Sequence, residues 1–223
     1  MRVAVIGDSI STHNNGASLI CWPSLLAQMI KDGGVKGWSV DNYSIPGLTW
    51  KTAHIPTPGW LIGGKQSPVE AMLSNGPYDL ILVMMGVNDR QNPSTLDDYY
   101  AFRMAFTPSI DGGAPLAFVA EHFLLPNGQA SPNGVVTTAE AQEMESIYST
   151  IQEPFYGVNL AKLYDMGYTY DGLHPTNSGK QWIAASVYMG LQAVYPLTPI
   201  TRNIAWLYDQ SPEVQSQMKL ANT

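Results

Sequence analysis

The stretch Val3-Ala4-Val5-Ile6-Gly7-Asp8-Ser9-Ile10-Ser11 opens with an unbroken apolar run and ends in a glycine, a carboxylate and a hydroxyl. Such a run predicts a strand over residues 2–6. The glycine and the polar residues after it predict a sharp turn where the strand ends. Ligands of open parallel sheets bind beyond the carboxyl ends of the strands. Ser9 is therefore the first candidate functional residue.

Short apolar runs and amphipathic stretches alternate along the rest of the chain, which is typical of βα repeats around a parallel sheet. A capping-box pattern at Ser94-Thr95-Leu96-Asp97 predicts the start of one helix, and glycines and prolines predict a long loop over residues 51–66. The further predicted strands cover residues 38–44, 80–85, 116–125 and 158–160, and the predicted helices cover 22–32, 68–74, 94–105, 137–152 and 177–195.

The length of 223 residues suits a single α/β core, and no internal repeat divides it. We predict one domain over residues 1–197, with a C-terminal helical appendage over residues 198–223 that packs on the same domain. A globular domain of this size buries roughly 70% of its unfolded surface, so it needs no disulfide or structural metal to stabilise it. Cys21 is the single cysteine and no Cys/His cluster has zinc spacing. The sequence thus predicts neither a metal nor a cofactor.

The formal net charge is −7 and the chain has no basic run. These features argue against nucleic acid or an anionic membrane as a partner. Only 13% of the residues are charged, and the uncharged hydrogen-bonding surface that this leaves suits a neutral glycan. No apolar stretch approaches the roughly 18 residues of a membrane span, and the chain as given has no signal peptide. We predict a soluble protein, whether cytoplasmic, secreted after processing or associated with a phage particle; the oligomeric state stays open.

Polar signals follow each of the first three predicted strands: Ser9, then Gly47, then Gly86-Val87-Asn88-Asp89. Late in the chain, Asp171-Gly172-Leu173-His174-Pro175 supplies a carboxylate and an imidazole three residues apart. Taken singly, each of these is also an ordinary turn or helix entry. Together they supply a nucleophile, a base and a group that orients the base, which is the set of residues that a serine hydrolase needs.

In their order along the chain, these four blocks resemble those of the SGNH hydrolases, the superfamily of GDSL-type esterases and lipases, and the resemblance covers nearly the whole chain. Ile10 stands where leucine is usual in the first block. The resemblance implies a flavodoxin-like three-layer α/β/α sandwich with a five-stranded parallel sheet. It also implies an enzyme that hydrolyses carboxylic esters.

The resemblance further implies a role for each site residue. Ser9 would be the nucleophile, His174 the general base and then acid, and Asp171 the residue that orients His174. The oxyanion hole would consist of the backbone N–H groups of Ser9 and Gly47 and the side-chain amide of Asn88. A glycine at position 47 also makes sense because a side chain there could obstruct the approach of substrate to the backbone.

Three aromatic residues in or beside the loop after Gly47 are candidates for lining a substrate pocket: Trp50, His54 and Trp60. The alternative, which ordinary packing favours, is that they only pack the loop itself. Cys21 is interpreted as a small buried hydrophobic residue.

The leading hypothesis is an esterase that removes a short acyl group, often acetyl, from a carbohydrate or polysaccharide through an acyl-enzyme on Ser9. A second hypothesis is a lipase, lysophospholipase or thioesterase, which needs a longer apolar channel, for which Leu61, Ile62, Met84 and Met85 are candidates. A third is a glycan-binding module without turnover, although such a module has no chemical reason to retain all the residues of the set.

Overall fold

The structure is a computed structural model that describes residues 1–12, 20–55, 67–89, 94–106, 116–122, 130–131, 134–135, 155–159, 167–195 and 197. Within this part of the chain, the strands are β1 (Arg2–Gly7), β2 (Ser39–Asn42), β3 (Leu80–Met84), β4 (Leu116–His122), β5 (Ala130–Ser131), β6 (Gly134–Val135) and β7 (Phe155–Asn159), and the helices are α1 (Trp22–Asp32), α2 (Trp50–Ala53), α3 (Pro68–Asn75), α4 (Leu96–Ala105) and α5 (Asn177–Gln192). A strand overlaps each of the five that the sequence predicts, and the short antiparallel pair β5 and β6 was not predicted.

Five of the strands form one parallel sheet in the order β2-β1-β3-β4-β7. The prediction of a flavodoxin-like parallel sheet is thereby confirmed. The chain winds outward from β1 to β2 and then in the opposite direction from β3 to β7. In sheets of this order, ligands bind at the carboxyl ends of the two strands between which the winding reverses. Here those strands are β1 and β3, which end at Gly7 and Met84 and pair at these two residues.

Helices cover both faces of this sheet. Connections between parallel strands are right-handed. The connecting helix before the reversal of winding therefore lies on one face of the sheet, and the connecting helices after it lie on the other face. Consistent with this, α1 packs against α5 while α2 packs against α4. All five residues of β3 are buried, as expected for a strand that has helices on both sides. This burial explains why β1 and β3 are continuous apolar runs in the sequence.

The structure corrects several local predictions. The residues predicted as the start of a long loop include the helical turn α2, whose N-cap Thr49 forms a reciprocal capping box with Thr52. The cap of α4 is Thr95, with Asp98 as its partner, so the predicted capping box was placed one residue early. The predicted helix over 137–152 and the appendage over 198–223 lie outside the described residues, and the division into domains stays a prediction.

Cys21 is fully buried, as expected from its interpretation as a small hydrophobic residue. Met84 and Met85 are also fully buried within the core. The search of the described residues for helices found none that is long and apolar enough to cross a membrane. In the same part of the chain, no group of His, Cys, Asp or Glu side chains is arranged to hold a metal ion.

Candidate active site

The turn after β1 presents Ser9 at the edge of the sheet. Asp8 caps a short 3₁₀ helix (Ser9–Ser11), and its Oδ1 accepts the N–H of Ile10 at 2.9 Å. Gly7 is required for close packing here, since a Cβ at this position would lie 2.6 Å from Ser11 Oγ and 2.7 Å from the Met84 carbonyl oxygen. This abrupt turn places Ser9 immediately beyond the carboxyl end of β1, where the residue is only 7% exposed.

A second turn, before α5, holds the imidazole and the carboxylate. The N–H of Thr176 donates to the carbonyl of Tyr168 at 2.7 Å, and the N–H of Tyr170 donates to that of His174 at 3.1 Å. Gly172 lies inside this turn with φ +80°, a left-handed conformation that favours glycine. Asp171 Oδ1 accepts the N–H of His174 at 2.7 Å. The carboxylate is thus fixed by the backbone of the residue whose ring it holds.

The two turns bring Ser9, His174 and Asp171 into one hydrogen-bonded chain. Ser9 Oγ lies 2.9 Å from His174 Nε2, and His174 Nδ1 lies 2.6 Å from Asp171 Oδ2. Burial acts to raise the pKa of Asp171, but hydrogen bonds from His174 and Leu173 outweigh it and hold this pKa below its usual value. A carboxylate that is ionised accepts from Nδ1–H, which leaves Nε2 as the acceptor for the serine hydroxyl.

A β-turn after β2 carries Gly47. The N–H of Leu48 donates to the carbonyl of Ile45 at 3.2 Å, so Pro46 and Gly47 occupy the two central positions. Gly47 has φ +79° and is exposed. Proline followed by a glycine of positive φ is the signature of a type II turn. This geometry accounts for the glycine independently of any role in binding substrate.

The dipeptide Asn88-Asp89 follows β3, and its side chains form hydrogen bonds with the residues just after this turn. The Asn88 side-chain amide donates to the Leu48 carbonyl at 3.1 Å. Asp89 Oδ1 accepts the N–H of Trp50, the first residue of α2, at 3.0 Å. The two side chains therefore tie the loop that contains Gly47 to the end of β3.

Two carboxyl groups of the site are enclosed by protein. Asp8 and Asp89 are both 0% exposed. Burial is the largest influence on each, and it raises the pKa of each from 3.8 to about 7. Hydrogen bonds from Ile10 to Asp8, and from Ser94 and Trp50 to Asp89, oppose this rise without cancelling it. The charge of Asp89 raises the pKa of Asp8 further.

The three aromatic candidates for a substrate pocket do not form one in the described part of the chain. The suggestion that Trp50 contacts substrate is wrong, because its side chain is fully buried and packs edge-on against Tyr99 and Phe102 of α4. His54 is half-buried, and its Nδ1 lies 3.1 Å from the Trp50 carbonyl oxygen. Trp60 lies outside the described residues.

Sequence reasoning missed two features of the site. One is the contact of Asp89 with α2, for which the Asn-Asp pair after β3 was the available signal. The other is Tyr170, whose ring stacks on His174 with centroids 5.7 Å apart and planes inclined by 17°. Its position beside Asp171 could have singled it out, but a lone tyrosine carries no pattern of its own.

No protein-family model and no curated protein sequence matches the chain, whereas solved structures do. A crystal structure of TesA shares 19% identity and aligns with a TM-score of 0.63 over 87% of this chain and 100% of that one. A member of the lipolytic protein G-D-S-L family from Veillonella parvula shares 13% identity, with a TM-score of 0.56 over 88% and 98% of the two chains. Est24, a carbohydrate acetylesterase from Sinorhizobium meliloti, shares 14%, with a TM-score of 0.57 over 87% and 99%.

These likenesses cover most of both chains, so the molecule has the fold of the G-D-S-L lipolytic proteins. The fold that the resemblance of the four sequence blocks implied is therefore confirmed. At identities this low the likeness concerns the fold alone, and the chemistry has to be argued from the site itself.

Proposed function

We propose that this chain, which has the G-D-S-L fold, is a serine hydrolase of carboxylic esters. The single observation that carries the proposal is the chain of hydrogen bonds from Ser9 through His174 to Asp171, at 2.9 and 2.6 Å. These residues come from opposite ends of the sequence. A nucleophile, a base and a group that orients the base in this contact have the geometry of a catalytic triad.

In the first half of the proposed reaction, Ser9 Oγ attacks the ester carbonyl carbon while its proton passes to His174 Nε2. The tetrahedral intermediate then collapses, and the same proton goes to the departing alcohol oxygen, which leaves an acyl group on Ser9. Water attacks this acyl-enzyme in the second half, again giving its proton to Nε2. The second tetrahedral intermediate then collapses: the bond between Ser9 Oγ and the acyl carbon breaks, Nε2 returns the proton to Oγ, and the carboxylic acid is released. Asp171 stabilises the imidazolium that forms twice in each cycle.

The negative charge on the intermediate requires donors at the oxyanion. We assign these to the backbone N–H groups of Ser9 and Gly47 and to the Asn88 amide. One N–H of that amide is held by the Leu48 carbonyl, which fixes its plane, and the second is the one assigned to the oxyanion. Removal of one such donor typically lowers kcat by about 100- to 1000-fold. We expect Asn88→Ala to lower kcat by this order while KM changes little.

For the substrate, we propose an acetyl ester of a carbohydrate. Est24 is described as a carbohydrate acetylesterase, and the low content of charged residues suits a neutral partner. Of the four candidates for an acyl channel, Met84 and Met85 are enclosed in the core, and Leu61 and Ile62 lie outside the described residues. The described residues therefore do not favour a long acyl chain.

The experiment that tests the proposal combines covalent labelling with activity. A fluorophosphonate probe, located by peptide mapping, should label Ser9 in the parent and nothing in Ser9→Ala. Ser39→Ala, which removes an exposed hydroxyl at the start of β2, serves as the matched control and should be labelled as the parent is. No label on Ser9, together with no esterase activity, would indicate a glycan-binding module instead.

The acyl preference is measured separately, with acetyl, butyryl and octanoyl esters of p-nitrophenol and with acetylated glycans assayed for free acetate. We expect kcat/KM to be highest for the acetyl esters. A kcat/KM that rises steadily with acyl length would support the lipase or thioesterase hypothesis and reject the acetylesterase.

A further inference from the structure

Tyr170 is an exposed aromatic residue at the catalytic imidazole. Half of its surface is accessible to solvent, and one face of its ring stacks on His174. The hydrogen bond from the Tyr170 N–H to the His174 carbonyl keeps both residues in the same turn. The ring is therefore held in a defined position beside the reacting groups, although an exposed tyrosine would otherwise be free to turn.

The proposed mechanism determines which part of a substrate lies next to this ring. His174 Nε2 returns its proton to the oxygen of the departing alcohol, so that oxygen has to come within about 3 Å of Nε2. The acyl group, in contrast, lies between Ser9 and the oxyanion donors at the ends of β1, β2 and β3. A side chain stacked on the imidazole therefore borders the alcohol portion of the ester and not the acyl portion.

We propose that Tyr170 is a binding residue for the alcohol portion and selects alcohols that present a flat ring face, namely pyranosides. A tyrosine ring offers an apolar face with a polar hydroxyl at its edge. A pyranose offers the complement, since its axial C–H bonds form an apolar face and its hydroxyls lie around the rim. This inference rests on the proposed esterase function and extends it to the recognition of the sugar.

The test compares two acetyl esters that differ only in their alcohol: ethyl acetate, which has no ring, and an O-acetylated methyl xylopyranoside. We expect Tyr170→Ala to lower the ratio of kcat/KM for the xyloside to kcat/KM for ethyl acetate by about five- to tenfold, which is the size of an aromatic contact. Tyr170→Phe should keep most of the ratio, because the ring face remains.

A merely structural contact between Tyr170 and His174 gives a different result. Loss of that contact would disturb the imidazole for every ester, so both values of kcat/KM would fall together and the ratio would stay at that of the parent. Tyr100→Ala is the matched control, because Tyr100 is 43% exposed but its ring contacts Tyr99 instead of His174. It should change neither value.

The outcomes separate this inference from the proposed function. A parent that hydrolyses both esters, with a ratio unchanged in Tyr170→Ala, would overturn the role of Tyr170 and leave the esterase intact. A parent that hydrolyses neither ester, and that no probe labels at Ser9, would overturn both. Two results together would support the role of Tyr170. In Tyr170→Ala, kcat/KM falls for the xyloside but not for ethyl acetate, and the xyloside binds more weakly to Ser9→Ala/Tyr170→Ala than to Ser9→Ala.

Discussion

Replacing Asp8 by asparagine should change how the stability of this protein depends on pH. The Asp8 carboxyl is fully enclosed, and burial, with the charge of Asp89, raises its pKa from 3.8 to about 7. An asparagine is neutral at every pH and has nearly the same shape. Its Oδ1 can still accept the N–H of Ile10, which Asp8 Oδ1 accepts at 2.9 Å. The variant therefore removes one titration while the cap of the 3₁₀ helix is kept.

The sign follows from proton binding in the two states. Between pH 4 and pH 7, the folded protein keeps the proton on Asp8 whereas the unfolded chain has lost it. The free energy of unfolding consequently falls as pH rises, by about 1.4 kcal/mol per pH unit for this group. The stabilisation is complete below pH 4 and is lost as pH rises through about 7. The interval from 3.8 to about 7 corresponds to about 4 kcal/mol.

Urea unfolding of parent and Asp8→Asn at pH 4, 5, 6, 7 and 8 measures this effect. The exchange of an oxygen for an NH₂ group adds an offset that does not depend on pH, so the quantity to compare is the change in the difference between the two proteins. We expect the variant to gain about 4 kcal/mol on the parent between pH 4 and pH 8. Asp32→Asn, at an exposed position in α1, should leave the profile as it is. Parallel profiles for parent and Asp8→Asn would refute the reasoning.

Three further substitutions test the turns that carry the site. Asp89→Ala leaves the buried N–H of Trp50 without its acceptor, so the free energy of unfolding should fall by about 1–3 kcal/mol. In steady-state kinetics, kcat should decrease by a larger factor than KM increases, and Asp89→Asn should recover kcat. Gly179→Ala places a Cβ 2.6 Å from the Tyr168 carbonyl oxygen, so a fall in Tm with a lower kcat is expected from thermal unfolding and steady-state kinetics. Gly47→Ala forces φ +79° on an L-residue, which should lower the free energy of unfolding in urea by roughly 1–2 kcal/mol and slow turnover. Wild-type values for any of the three variants would contradict the contact or backbone conformation from which its effect is predicted.

The position of the site was predictable because it follows from chain direction alone. Each predicted strand that is followed by a glycine or a polar group has a defined carboxyl end, and all parallel strands present that end at one edge of the sheet. This argument places Ser9, Gly47 and Asn88 near one another without knowledge of any side-chain contact. It does not reach Asp171 and His174, which follow no predicted strand directly. Their place at the same edge was inferred from the resemblance to a known family.

The error about Trp50 has its cause in tertiary packing. Trp50 follows a Pro-Gly turn in a region rich in glycine and proline, so local signals predicted a loop residue that could contact substrate. In the structure the capping box of Thr49 and Thr52 begins a helical turn there, and the indole becomes part of the core between α2 and α4. No local signal reveals this, because the aromatic residues that bury it, Tyr99 and Phe102, are about fifty residues away in the chain.

Asp8 and Asp89 have the same structural role just after β1 and β3, which are neighbours in the sheet. Each is a buried carboxyl that accepts an N–H from the start of a short helical segment, at 2.9 Å from Ile10 and 3.0 Å from Trp50. Each thereby fixes a segment that holds, or closely follows, an N–H group assigned to the oxyanion, at Ser9 and Gly47. Two full negative charges at these places would oppose the charge that develops on the substrate. With a pKa of about 7, each carboxyl is partly protonated at neutral pH while it keeps its hydrogen bonds. We therefore expect the burial that costs stability above neutral pH to reduce the repulsion of the proposed oxyanion as well.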